Sequence, residues 1–166
     1  MPAKDRFHEA VKVALQKDGW TITDDPLTIP IERLSNLYID FGAEKLLIAE
    51  RKGQKIAVEV KSFLGASTLS EFHTAFGQCL NYRYALEDTD PDRKLYLAVP
   101  VSIYDDFFVV PFIQSVIQRS QTRLIVYDPT REEIRQWLNY IVIEMPCSKL
   151  YSTMLRCALE LLAIQS

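Results

Sequence analysis

Between Ile56 and Val99 an apolar stretch, a long helical stretch and a second apolar stretch follow one another, and that order leaves few folds open. Ile56 to Phe63 reads as a strand and Leu69 to Leu86 as a helix stopped by Asp88-Thr89-Asp90-Pro91-Asp92; Lys94 to Val99 reads as a buried strand. Two strands joined by so long a helix lie parallel, with the helix crossing one face of their sheet. Upstream, residues 5 to 18 place Phe7, Val11, Ala14 and Leu15 on one face of a first helix closed by Gly19. Trp20 to Thr23 and Leu27 to Ile31 are short extended runs. Leu37 to Phe41 and Leu46 to Ala49 are apolar, and the polar turn Glu50 to Lys55 joins them to Ile56 as a β-hairpin, although Ala43 to Arg51 also has helix propensity. Downstream, Tyr104 to Arg119 reads as a helix broken or entered at Pro111, Arg123 to Tyr127 as a strand and Thr130 to Trp137 as a last helix. The expected architecture is α/β, a mixed β-sheet core flanked by helices.

The 166 residues suit one domain of ordinary size, and 48% hydrophobic with 25% charged residues supports a packed core without staples. That domain is expected over residues 1–139. Residues 140–166 form a C-terminal extension of different character, with a break at Pro146-Cys147-Ser148 and an apolar stripe of Leu150, Met154, Leu155, Ala158, Leu159 and Leu162 beyond it. Three cysteines, Cys79, Cys147 and Cys157, are odd in number and lack paired spacing, which disfavours a disulfide framework and a zinc site. A reducing cytoplasm is the expected compartment. The charged start, Met1 to Arg6, has no apolar signal core, and no apolar run reaches membrane-spanning length. With 19 basic and 22 acidic residues the net charge is −3, so contact with a nucleic acid requires a local basic patch rather than bulk attraction.

Chemistry concentrates in Ala57-Val58-Glu59-Val60-Lys61. Glu59 and Lys61 interrupt an apolar strand two positions apart, so the alternation of a strand puts both on one face. Two charges in such a setting cost several kcal/mol, as an order of magnitude, unless they are paired or bind an ion. A hairpin turn centred between Lys52 and Gly53 pairs residues whose numbers sum to about 105, which sets Glu44 opposite Lys61 on that face. Asp40 has the same parity but lies roughly 13 Å farther along an ideal strand and reaches Glu59 only if Gly42 bends the chain. Either acid completes a pair of carboxylates with Glu59. Two carboxylates and a lysine supply what Mg²⁺- or Mn²⁺-assisted phosphodiester hydrolysis requires: oxygen ligands for a hard cation and a positive charge to offset the phosphate. In the following helix Gln78 and Tyr82, at i and i+4, share a face. Glu9 lies off the apolar stripe of the first helix, where exposure is the ordinary outcome. His8 and His73 have no partner at metal-ligand spacing and read as surface or capping residues.

An acid, then Glu59-Val60-Lys61, then Gln78-Cys79-Leu80-Asn81-Tyr82 resembles the active-site pattern of the PD-(D/E)xK nuclease superfamily, with Asp40 or Glu44 as the first acid. A longer resemblance spans nearly all of residues 2 to 139. It is carried by Pro2-Ala3-Lys4-Asp5, Lys17-Asp18-Gly19-Trp20, Gly42-Ala43-Glu44-Lys45, Lys55 to Phe63 and Leu95-Tyr96-Leu97-Ala98-Val99-Pro100. These segments are similar to the XisH family, the fdxN-element excision controlling factors of cyanobacteria. The resemblance implies a restriction-endonuclease-like (PD-(D/E)xK) fold and a DNA-processing role in programmed excision of a DNA element by a site-specific recombinase, beside a small XisI-like companion. Within it Asp40 or Glu44 and Glu59 would be metal ligands, Lys61 an electrostatic stabiliser, and Gln78 and Glu9 supporting members. Dimerisation is a further expectation, because such nucleases address two strands. The alternative is a module that keeps the fold without cutting and binds DNA, the companion or the recombinase.

Overall fold

The computed structural model describes residues 3–25 and 46–140, and the statements that follow concern those. Helix α1 (Ala3–Lys17) closes through the backbone: Asp18, Gly19 and Trp20 donate to the carbonyls of Ala14, Gln16 and Leu15. Gly19 supplies the φ of 87° that this left-handed cap needs at no steric cost. Strand β1 (Thr21–Asp24) follows, then β2 (Leu46–Arg51) and β3 (Gln54–Val60) form the hairpin around Lys52-Gly53. The pairs run from Arg51↔Gln54 to Leu46↔Glu59, so the register inferred from turn placement is the observed one, and residues 46–51 are strand rather than helix.

Helix α2 (Thr68–Thr89) carries Phe72, Ala75, Cys79, Tyr82 and Leu86 as its buried stripe, and Ser67 Oγ accepts the Ser70 N–H at its start. It leads to β4 (Arg93–Pro100), parallel to β3. A short helix α3 (Val101–Ile103), a π-helical turn Tyr104–Phe108 and helix α4 (Pro111–Ser120) lead to β5 (Arg123–Asp128), parallel to β4. The helix expected over 104–119 is thus divided at Pro111, which opens α4 at its first position, where its missing N–H is harmless.

The last helix expected, Thr130 to Trp137, is instead strand β6 (Glu133–Leu138), antiparallel to β5. The Asp128 carboxylate accepts from the backbone N–H groups of Thr130 and Arg131 at 2.9 and 3.0 Å, and Glu132 takes a left-handed φ of 53°. That turn folds the chain back onto β5. Trp137 then packs 5.8 Å from Trp20 and edge-on to Tyr96 at 5.1 Å, contacts that override the helix propensity of Glu, Arg and Gln.

All six strands form one mixed sheet whose spatial order repeats the chain order, β1 to β6. One face carries Ala57, Leu97, Val99, Leu124 and Val126 against α2 and α4. The other carries Val58, Val60, Ala98, Ile125 and Tyr127 against Val11, Leu15 and Trp20 of the α1 region. Leu27–Ile31, Leu37–Phe41 and 141–166 lie outside the described residues. No helix among the described residues is long and apolar enough to cross a membrane.

On α1, His8 Nε2 lies 2.8 Å from Asp25 Oδ1, and Lys12 Nζ donates to Asp25 Oδ2 at 3.1 Å, tying the helix to the end of β1. Partial burial alone would raise the Asp25 pKa; the hydrogen bonds from Lys12 and His8 outweigh it and hold the carboxyl below its ordinary value. A depressed folded-state pKa contributes stability above the unfolded value, about 3.9, that is lost as pH falls through the folded one. The melting-temperature gap between the protein and Asp25→Asn is therefore expected to be full at neutral pH and to shrink below about pH 4. A gap that is the same at pH 3 and pH 7 would contradict this.

Candidate functional site

Strand β3 is the third of six and is paired on both edges, so its side chains are shielded laterally as well as above and below. Its odd-numbered residues face α2. Ala57 belongs to that side of the core, and by the same alternation Glu59 follows it, set between Leu46 of β2 and Leu97 of β4. Glu59 is 0% exposed and Lys61 6%, which puts both charged side chains inside the protein. The strand was expected to continue to Phe63 but ends at Val60. Lys61 still donates its N–H to the Ala98 carbonyl at 3.2 Å, and Phe63 then turns the chain with a left-handed φ of 54°. Such a φ is costly for an aromatic residue. Burial of the Phe63 ring, edge-on to Phe108 at 5.7 Å, holds it there.

Over this face α2 presents Tyr82 within the core and Gln78 beside the buried stripe, its side-chain oxygen shielded from solvent. Both Glu59 carboxylate oxygens and the Ser62 hydroxyl are shielded as well. The structure thus gathers Glu59, Lys61, Gln78 and Tyr82 in the layer between β3 and α2. It does not bring Glu9 there: Glu9 is exposed on α1, the helix that covers the opposite face. Asp40 and Glu44 lie outside the described residues. The observed register, continued two residues past its last pair, is the one that sets Glu44 opposite Lys61.

Among the described residues no three of His, Cys, Asp and Glu are grouped closely enough to hold a metal ion. Glu59 alone is one oxygen ligand group, so the fit of a Mg²⁺ or Mn²⁺ ion depends on Asp40 or Glu44 supplying a second. Ser62, buried directly after Lys61, was not singled out from sequence; its place at the strand end was the only signal.

The family model described as XisH protein matches residues 1–135. The chain belongs to the XisH family. Two solved structures agree with that membership. A fdxN element excision controlling factor protein from Anabaena variabilis is 54% identical over 81% of this chain and 99% of its own, with a TM-score of 0.73. An XisH family protein from Nostoc punctiforme PCC 73102 is 51% identical over 81% of this chain and 100% of its own, also at 0.73. No curated protein matches. In this XisH-family chain the matched span includes all of β1 to β5 and every residue of the Glu59, Lys61 and Gln78 layer.

Proposed function

We propose that this XisH-family chain is a DNA-processing factor in the controlled excision of a DNA element, and that Glu59 and Lys61 belong to a Mg²⁺- or Mn²⁺-dependent, nuclease-type site of the PD-(D/E)xK kind. The observation that carries the reading is a fully buried carboxylate and a nearly buried ammonium, two residues apart on one face of a central strand. Desolvating both groups costs several kcal/mol, as an order of magnitude, and a purely structural strand would satisfy that position with leucine or valine.

In this reading Glu59, with Asp40 or Glu44, holds the cation. Lys61 sets a positive charge where a phosphate gains negative charge, and the Gln78 amide orients the attacking water or a phosphate oxygen. The bound cation supplies polarisation of the phosphate. Glu9, exposed on the other side of the sheet, is left with a solvated role. DNA is the proposed substrate, and an XisI-like companion, a site-specific recombinase and a second copy of the chain are the proposed partners.

The net charge of −3 favours a second reading, a nuclease-fold module that binds partner proteins or DNA without cutting. Incubation of the purified protein with supercoiled and single-stranded DNA in Mg²⁺ or Mn²⁺, beside Lys61→Ala, separates the two. Metal-dependent cleavage that Lys61→Ala loses supports the first. Absence of cleavage in every metal, with binding intact in both proteins, sinks it in favour of the second.

A further inference from the structure

At the other end of β3 the β2–β3 turn, the start of β4 and the end of β6 enclose an open cavity of about 510 Å³. Lys55 at this end and Lys61 at the other are six residues apart, roughly 20 Å along a strand, so the cavity is separate from the buried carboxylate layer. Its walls are aromatic and basic. The chain has two tryptophans, and both line it. The Arg51 guanidinium lies over the Trp20 ring at 4.5 Å and is tethered by the Asp18 backbone carbonyl and, at 3.2 Å, by the Asp18 carboxylate. With one face against Trp20, which is 5% exposed, the guanidinium turns its other flat face to the cavity.

Trp137 is half-buried beside it, fixed by Trp20 and Tyr96. Burial raises the Tyr96 pKa, with Arg123 opposing it, so the phenol keeps its proton and donates to Asn139 Oδ1 at 2.8 Å. That bond fixes the Asn139 amide and leaves its N–H donors for a ligand. Lys55 and Lys94 stand at the rim. Lys55 lies 3.6 Å from Asp90, whereas Lys94 has no acid within 4 Å among the described residues. Asp92 is the acid that lines the cavity itself, so the lining is basic in balance.

We propose that this cavity binds a single nucleotide, its base against the Arg51 guanidinium and the Trp137 indole and its phosphate between Lys55 and Lys94. Unstacked bases are held on guanidinium and aromatic planes and read at their edges by amides, and phosphate by nearby cations. The volume falls in the range of small-ligand sites, about 300–1,000 Å³. The nucleotide is either free or the unpaired end of a strand; both present the same base and phosphate.

Because both tryptophans line the cavity, titration of intrinsic fluorescence reports on it directly. The full chain is titrated with AMP, with dTMP, with a 5′-phosphorylated dinucleotide and with inorganic phosphate, alongside the double variant Lys55→Gln/Lys94→Gln and, separately, Glu59→Gln. Saturable quenching by a mononucleotide or the dinucleotide, weakened at least tenfold in the lysine double variant and unchanged in Glu59→Gln, is the expected result. Tighter binding of the dinucleotide identifies a strand end, and binding confined to the mononucleotides identifies a free nucleotide. The proposal is overturned by the absence of saturable quenching up to millimolar ligand, by inorganic phosphate acting equally well, or by unaltered binding in the lysine double variant. None of these outcomes depends on whether the Glu59 site cuts DNA.

Discussion

Glu59→Gln is expected to lower metal-dependent DNA cleavage by more than about a hundredfold, since loss of even the supporting shell of a metal ligand costs about 10- to 100-fold. The amide matches the carboxylate in shape, so the packing between Leu46, Leu97 and α2 is undisturbed and the change is one of charge. Glutamine offers one neutral oxygen where a hard cation needs an anionic one. A second readout guards against a merely structural effect. A cation that binds the folded chain and not the unfolded one raises the melting temperature by mass action. Mg²⁺ or Mn²⁺ is expected to raise that of the native protein and to leave Glu59→Gln unmoved. Equal metal-induced shifts in both proteins, or cleavage retained by the variant, would remove Glu59 from the site.

Leu97→Ala carries the largest expected effect on stability. Leu97 is 0% exposed at the middle of the sheet, paired with Glu59 on one side and Leu124 on the other and buried beneath α2. Deleting such a leucine removes its transfer free energy and leaves a cavity that a two-sided sheet cannot collapse, a loss of about 3–4 kcal/mol. The melting temperature is expected to fall by about 10 °C, with the denaturant slope unchanged. Leu97→Met keeps the volume and is expected to cost less than about 1.5 kcal/mol. A Leu97→Ala loss as small as that of Leu97→Met, in parallel urea titrations, would show that the site relaxes and that the central layer is not tightly packed.

What could be read from the chain alone follows the range of the forces involved. The β2–β3 register was legible because Lys52-Gly53 fixes the turn, and a turn determines the pairing of its own strands. Helix α2 was legible because its apolar stripe recurs at helical spacing within one segment. Burial of Glu59 and Lys61 followed from two-residue alternation against apolar neighbours. Strand β6 was not legible: Glu133, Arg135 and Gln136 are good helix formers, and what makes them a strand is an edge offered by β5 and a ring pocket offered by Trp20 and Tyr96. The nucleotide cavity was invisible for the same reason, being assembled from Trp20, Arg51, Lys94 and Asn139, which no local pattern links. The choice between Asp40 and Glu44 turns on residues before Leu46, where neither turn geometry nor the described strands reach.

The arrangement of α1 bears on how the molecule is made. Each strand pairs with the one synthesised just before it, so the sheet grows in the direction of translation without any segment having to thread between others. Helix α1 is the exception. It emerges first, yet Lys17 donates to the Arg131 carbonyl at 2.9 Å and Trp20 rests on Trp137, more than a hundred residues later in the chain. Its apolar face therefore has no finished surface to lie on until the last strand has left the ribosome. During synthesis Val11 and Leu15 stay available to chaperones or to a neighbouring nascent chain, and docking of this helix is the step that commits the domain to its native state.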